Sequence, residues 1–92
     1  MSWRVEYAQE AVKALRQLDP QIRHRIRNAV EALQEDPLRG KPLQFELKGL
    51  RSWRTGDFRI VYAAHHRVLR IFVVTLGHRR EVYQRLSSRE GR

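Results

Sequence analysis

Residues 3–7 alternate between apolar and charged side chains, and the pattern then changes to a helical period. Trp3, Val5 and Tyr7 are separated by charged positions, which predicts a short, half-buried strand. From residue 8 to residue 33, apolar side chains recur every three or four positions, the spacing that places them on one face of an α-helix. This stretch therefore predicts amphipathic helices that pack against other elements.

Two aspartate–proline pairs set the boundaries of these helices. At Asp19-Pro20 the aspartate suits an N-cap, where its carboxylate accepts a free backbone N–H, and the proline suits the first helical turn. At Asp36-Pro37 the helix should end, because a residue before proline avoids helical geometry. The sequence thus predicts two helices joined as a helical hairpin.

The second half of the chain is typical of strands joined by tight turns. Residues 37–42 are predicted to form a loop, and residues 45–55 a strand that is interrupted at Gly49. Gly56-Asp57 marks a turn into a second strand, which ends at another turn, His65-His66.

The third strand, residues 68–75, is apolar on both faces for most of its length, so we expect it in the middle of the sheet. Residues 78–86 fit either a short helix or an extended tail, and residues 87–92 are predicted to be frayed.

These elements predict an α+β fold in the order β-α-α-β-β-β, with a possible short C-terminal helix. The last three strands form an antiparallel meander within one sheet. The helical hairpin packs on one face, because its apolar stripes have no other place to be buried. The other face, or an edge, is left for function. The chain of 92 residues is expected to be one domain, residues 1–92.

The charge of the chain is large, positive and unevenly distributed. Of its net +9, residues 1–47 carry eight basic against seven acidic residues, whereas residues 48–92 carry eleven against three. Such an asymmetry favours a polyanionic partner, with RNA preferred over an acidic protein or a basic surface that binds nothing.

Other classes of site are disfavoured by composition. The chain has no cysteine, and its four histidines are interpreted as polar turn residues rather than metal ligands. We expect no metal and no small-molecule cofactor. Neither a signal peptide nor an apolar run of membrane-spanning length is present, which predicts a cytoplasmic protein without membrane contact.

Two segments place an arginine shortly after a glycine and end in a tyrosine: GDFRIVY at residues 56–62 and GHRREVY at residues 77–83. In an antiparallel meander the end of the last strand lies beside the start of the middle strand, so Arg59 and Arg79 are expected to be close. Two neighbouring arginines favour a bound phosphate. The alternative is that each pairs with a local acid, for which Asp57 and Glu81 are available.

These segments, together with LKGL at residues 47–50 and GKPL at residues 40–43, resemble the RelE/ParE toxin superfamily, in its RelE-like mRNA interferase branch. The resemblance extends over residues 3–86. It implies a helical hairpin on an antiparallel sheet and a toxin held inactive by an acidic antitoxin protein. It also implies metal-independent cleavage of mRNA on the ribosome, by attack of the 2′-hydroxyl on the adjacent phosphate.

Three residues match catalytic positions of the family. The resemblance assigns Arg59 to the scissile phosphate, Arg79 to the arginine after the last strand, and Tyr83 to the C-terminal tyrosine. Two sheet lysines of the best-known member are absent, since the aligned positions hold Leu50 and Ser52. The candidate substrate-binding residues are Lys48, Arg51, Arg54, His78 and Arg80.

RNA cleavage needs a base for the 2′-hydroxyl and positive charge on the phosphorane. Arg59 and Arg79 can supply the charge and Tyr83 the base, with Lys48 and His78 as alternatives for proton transfer. Two other functions remain open: a ParE-like DNA gyrase inhibitor, and a non-catalytic nucleic-acid-binding protein.

Three aromatic residues on the predicted strands are assigned either to the core or to the site. Tyr62 shares the register of apolar strand positions and is predicted to be core. Trp3 is also predicted to be core. Trp53 is expected either to pack beside the site or to stack on a base.

Overall fold

The computed structural model describes residues 3–90, with side chains described up to residue 86. The elements follow in the order β1 (Arg4–Tyr7), α1 (Gln9–Arg16), α2 (Pro20–Glu35), β2 (Lys41–Pro42), one turn of 3-10 helix (Phe45–Leu47), β3 (Arg51–Thr55), β4 (Phe58–His65), β5 (Arg70–His78) and α3 (Arg79–Glu90). The predicted α+β class, the helical hairpin and the antiparallel meander are confirmed. None of the helices in residues 3–90 is long and apolar enough to cross a membrane.

One sheet of five strands has the order β1-β5-β4-β3-β2. β1 pairs with β5 in parallel, and all other pairs are antiparallel. β5 therefore has a neighbour on each side, as its apolar residues on both faces predict. The β4–β5 register shifts between Val61 and Tyr62, which places a bulge in β5 at the middle of the sheet.

The helical hairpin covers one face of the sheet, called the hairpin face below. Residues of both helices form a single buried cluster with alternate residues of β4 and β5. Its buried members are Ala11, Ala14, Leu15, Ile26, Val30, Leu33, Ile60, Tyr62, Ile71, Val73 and Leu76. Trp3 and Trp53 pack against this cluster as partly buried residues. The hairpin stripes are thus buried where the sequence predicts.

The opposite face, called the α3 face below, is partly covered by the C-terminal helix. Val82 and Leu86 of α3 are buried against Val61 and Val74 of the sheet. The expectation that helices cover only one face is therefore corrected: the last residues fold as a helix because two apolar side chains, one turn apart, find this second apolar patch. The predicted frayed segment, residues 87–92, is described only as helical backbone up to Glu90, and residues 91 and 92 lie outside the described residues.

Three local expectations are corrected. The Asp19 carboxylate makes no capping hydrogen bond, although Pro20 opens α2 as predicted. Residues 45–47 form a 3-10 turn rather than a strand, because Phe45 has a positive φ of 56° and is 84% exposed. Within the predicted loop, Lys41 and Pro42 form a short edge strand paired with β3.

Tyr62 fastens the segment before β2 to the sheet. The side chain is fully buried, as predicted for a core residue. Its hydroxyl donates to the Pro37 carbonyl oxygen at 2.7 Å and accepts the Gly40 N–H at 3.0 Å. A Cβ at position 40 would lie 2.7 Å from that hydroxyl oxygen, so the close approach requires glycine.

Candidate active site

Two arginines face each other across the sheet. Arg54 of β3 and Arg59 of β4 are directly opposed in the register. Because side chains alternate along a strand, Arg59 lies on the same face as Val61, which packs against α3. Both arginines therefore project from the α3 face. Like charges in directly opposed positions destabilise a sheet, so this pair has a cost that folding alone does not explain.

No carboxylate neutralises this pair within the described residues, where the ion pairs are those of Glu6 with Arg4 and Arg70 at the far edge of the sheet. Within residues 3–86, Arg59 therefore does not form an ion pair with Asp57 or Glu81, which was the alternative to a bound phosphate. Arg59 also has a buried Nε that makes no hydrogen bond in this part of the chain. An unsatisfied buried donor costs about 1–3 kcal/mol, which an anion accepting its hydrogen bond would remove.

Tyr83 lies against Arg59. The guanidinium carbon is 5.2 Å from the centre of the Tyr83 ring, within the range of a cation–π contact. The Tyr83 side chain is exposed, with a relative accessibility of 51% for the residue. The structure thus brings together two of the three residues that the sequence nominates as catalytic.

The position of Tyr83 depends on how α3 is anchored. The Arg79 N–H donates to the Asp57 carbonyl oxygen at 2.8 Å, which fixes the start of α3 beside the start of β4. Arg79 and Tyr83 are four residues apart and so share one side of the helix. Arg79 is exposed at this position.

A second anchor holds the middle of α3. Arg85 donates from one Nη to the Thr75 hydroxyl at 3.1 Å and to the Leu76 carbonyl oxygen at 2.7 Å. The bulged part of β5 thus receives a side-chain donor from the helix. Gly77 leaves room for it, since a Cβ there would lie 3.4 Å from the Arg85 guanidinium, and its φ of 147° is unfavourable for other residues.

An open cleft of about 400 Å³ extends from Arg59 to the edge of the sheet. It is lined by Arg39, Lys41, Ser52, Trp53, Arg54 and Arg59. Four of these six side chains are cationic, so the cleft presents a strip of positive charge suited to a chain of phosphates.

Arg51 lies apart from this strip. It is opposed to Tyr62, a residue of the hairpin face, and donates to the Leu38 and Gly40 carbonyl oxygens at 3.1 and 2.7 Å. Through these hydrogen bonds Arg51 has a structural role, because it stabilises the segment before β2 to which Tyr62 is also hydrogen-bonded.

The other predicted contacts are spread around the cleft. The His78 ring packs edge-on against Phe58, with centroids 5.9 Å apart, and Phe58 belongs to the hairpin face. Arg80 is exposed, and its N–H donates to His78 Nδ1. Lys48 is exposed at the end of the 3-10 turn. The structure does not bring these three side chains into the cleft lining.

Lys41 and Arg39 line the cleft but were not nominated from the sequence. A strand of two residues has no periodicity to detect, so the sequence pattern places Lys41 in a loop. Arg39 places its guanidinium 5.1 Å from the Trp53 ring centre, a contact between residues fourteen positions apart. Trp53 itself lines the cleft and also packs against the core of the hairpin face.

The arrangement is one for binding and polarising a phosphodiester. Arg54 and Arg59 provide guanidinium groups for the oxygens of a phosphate, and Tyr83 provides a hydroxyl beside them. Within residues 3–86 no group of three His, Asp or Glu side chains is arranged to hold a metal ion.

Comparisons with known proteins agree on one family. A family model described as the ParE toxin of the type II toxin-antitoxin system parDE matches residues 5–83. Toxin RelG of Mycobacterium tuberculosis is 32% identical over 87 residues, which are 92% of this chain and 100% of RelG.

Solved structures have the same fold. A chain of the toxin-antitoxin complex RelBE2 from M. tuberculosis matches with a TM-score of 0.79 and 30% identity, covering 85% of this chain and 99% of that one. A mutant of E. coli toxin RelE in the free state matches with a TM-score of 0.74 and 20% identity, over 97% of this chain and 98% of that one.

Proposed function

Because the chain belongs to the ParE toxin family of type II toxin-antitoxin systems, and is RelE-like within it, we propose that it is an endoribonuclease that cleaves translated mRNA on the ribosome. The observation that carries this proposal is Arg59, whose buried Nε has no acceptor among residues 3–86, with an opposed Arg54 and a stacked Tyr83. A phosphodiester supplies the acceptor and the negative charge that this group needs.

The proposed reaction requires no metal and begins with the 2′-hydroxyl. Its oxygen attacks the adjacent phosphorus, the bond from phosphorus to the 5′ oxygen breaks, and a 2′,3′-cyclic phosphate forms. Tyr83, once deprotonated, takes the proton of the 2′-hydroxyl, and the departing 5′ oxygen gains a proton from water. Arg59 and Arg54 stabilise the charge that develops on the phosphorane oxygens, and Arg79 contributes from the start of α3.

Tyr83 is preferred as the base on grounds of position. Its ring contacts Arg59, which is the phosphate ligand in this proposal. His78 packs against Phe58 of the hairpin face and Lys48 is exposed at the end of the 3-10 turn, whereas the ring contact with Arg59 is made by Tyr83. This preference makes the hydroxyl of Tyr83 the chemical group to test first.

The proposed partner in the resting state is an acidic antitoxin protein. The RelBE2 structure is a toxin-antitoxin complex, and the present chain carries eleven basic residues in its second half. An acidic segment laid over the α3 face would neutralise Arg54 and Arg59 and close the cleft to RNA.

Induced expression followed by mapping of mRNA 5′ ends tests the function. New 5′ ends within translated codons, and none in the same transcripts without a start codon, are expected. An Arg67→Ala variant is the matched control for Arg59→Ala and should cleave like the unmodified protein, because Arg67 is exposed in the β4–β5 turn. Intact mRNA with broken chromosomes would indicate a gyrase inhibitor instead, and intact mRNA with RNA bound would indicate a non-catalytic binding protein.

A further inference from the structure

Lys41 is placed to extend the phosphate-binding strip beyond Arg59. In the register, Lys41 of β2 is opposed to Ser52 of β3, and Ser52 is opposed to Val61 of β4. Val61 belongs to the α3 face, so Lys41 projects from that face too. Ser52 is short, which leaves the lysine stem free to lie across β3 towards Arg54.

We propose that Lys41 binds the RNA phosphate next to the one held by Arg59, so that the cleft grips two successive phosphates. The inference rests on the proposed ribonuclease function. β2 and β4 are two strand spacings apart, about 10 Å, a separation at which an extended polyanion can place one phosphate against each side chain. Both side chains line the same cleft. Lysine is a point charge that suits a phosphate whose exact orientation is not decisive for the chemistry.

A lysine on an edge strand has another explanation, because such charges prevent edge-to-edge association of sheets. The surroundings of Lys41 favour the phosphate. It lies in a cleft with three arginines, and the ion pairs of the described residues involve Glu6 rather than any acid near this edge. A residue that serves only to protect the edge has no need to share a cleft with Arg39 and Arg59.

Three variants separate these explanations: Lys41→Gln, Lys41→Arg and the double variant Lys41→Gln/Ser52→Lys. The double variant moves the charge by one strand within the same face. Lys13→Gln is the control, since Lys13 is an exposed lysine of α1 outside the cleft. Binding is measured by fluorescence anisotropy over a range of salt concentrations, using a short single-stranded RNA with 2′-O-methyl groups that prevent cleavage.

Lys41→Gln is expected to weaken binding about three- to tenfold at low salt and to reduce the salt slope by about 0.7, the value for one lost phosphate contact. Lys41→Arg and the double variant should recover most of this loss, and Lys13→Gln should resemble the unmodified protein. Equal slopes for the Lys41→Gln variant and the unmodified protein, or an equal loss in Lys13→Gln, would overturn the proposal.

Cleavage on ribosomes is measured with the same variants to keep the two proposals distinguishable. If the unmodified protein cleaves mRNA while Lys41→Gln binds and cleaves equally well, the Lys41 subsite is refuted and the ribonuclease stands. If no mRNA is cleaved but Lys41→Gln reduces the salt slope and the double variant restores it, the subsite is supported and the ribonuclease is refuted.

Discussion

The Arg59 guanidinium lies 5.2 Å from the centre of the Tyr83 ring, and this contact joins the middle of the sheet to the C-terminal helix. The strand supplies a rigid position for the cation, and the helix supplies the ring. Because the two residues come from separate elements, the geometry of the site depends on α3 being docked. Arg85, through the Thr75 hydroxyl and the Leu76 carbonyl oxygen, is one of the groups that dock it.

Replacement of Arg59 by alanine tests the role of the strand arginine. Cleavage is expected to fall by about 100-fold or more, because the charge on the phosphorane loses its closest donor. The unfolding free energy should change little, because loss of the ring contact with Tyr83 is offset by relief of the like charge opposite Arg54, and the Nε has no hydrogen bond to lose among the described residues. Single-turnover cleavage and urea denaturation are the measurements, and a parallel loss of stability would assign Arg59 to the fold instead.

Replacement of Tyr83 by phenylalanine isolates the hydroxyl. The ring remains, so the contact with Arg59 and the position of the guanidinium are kept. The rate constant for cleavage should fall by about 100-fold, typical of a lost general base, while the affinity for non-cleavable RNA changes less than twofold. Equal losses in rate and affinity would show that the hydroxyl binds RNA rather than moving a proton.

Arg51 and Arg54 form a matched pair of neighbouring arginines with opposite expected effects. Arg54→Ala should weaken RNA binding and leave the unfolding free energy unchanged, because Arg54 is exposed in the cleft. Arg51→Ala should lower the unfolding free energy by about 1–2 kcal/mol, through loss of its hydrogen bonds to Leu38 and Gly40. RNA anisotropy and urea denaturation of both variants decide between these roles; the reverse pattern would place Arg51 in the RNA site.

Tyr62 gives the fold a dependence on alkaline pH. Burial raises the pKa of Tyr62 above its ordinary value of 10.0, more than the Gly40 N–H and Arg51 lower it. A pKa that is higher in the folded state means that unfolding becomes easier as pH rises through the two values. The unfolding free energy should therefore be constant up to about pH 9 and then fall.

Tyr62→Phe removes this contribution and two hydrogen bonds. At pH 7 the unfolding free energy should drop by about 1–3 kcal/mol, because Gly40 and Pro37 lose their partner. Above pH 10 the remaining decline should be shallower than in the unmodified protein, with Tyr7, whose pKa burial also raises, still contributing. Urea denaturation between about pH 7 and 11 measures both effects. An unchanged slope would show that Tyr62 does not titrate with unfolding.

Sequence patterns predicted those parts of the site that lie on long, regular elements. Arg59 sits in a strand of alternating residues, so its face followed from the apolar positions around it. Tyr83 followed from the family resemblance of the GHRREVY segment, residues 77–83. The helix that carries Tyr83 could not be decided, because Val82 and Leu86 are too few apolar positions to define a period.

Other parts depend on contacts that a linear pattern does not contain. Lys41 reaches the cleft only because two residues pair with β3 at Ser52 and Arg51. Arg51 and Arg54 are both arginines of the same predicted strand, so the sequence does not distinguish their roles. The difference is that Arg51 donates hydrogen bonds to the carbonyl oxygens of Leu38 and Gly40. Phe45 looks like a strand residue, but its positive φ turns the chain away from the sheet.

The central claim, that Arg59 and Tyr83 serve cleavage by 2′-hydroxyl attack, is tested most directly with a ribosome programmed with an mRNA that carries one 2′-deoxynucleotide at the mapped cleavage position. The all-ribose mRNA should yield a 2′,3′-cyclic phosphate and a 5′-hydroxyl end, and the 2′-deoxy mRNA should stay intact at that position. Cleavage of the 2′-deoxy mRNA at the same bond would contradict the account, since no nucleophile would remain on the ribose.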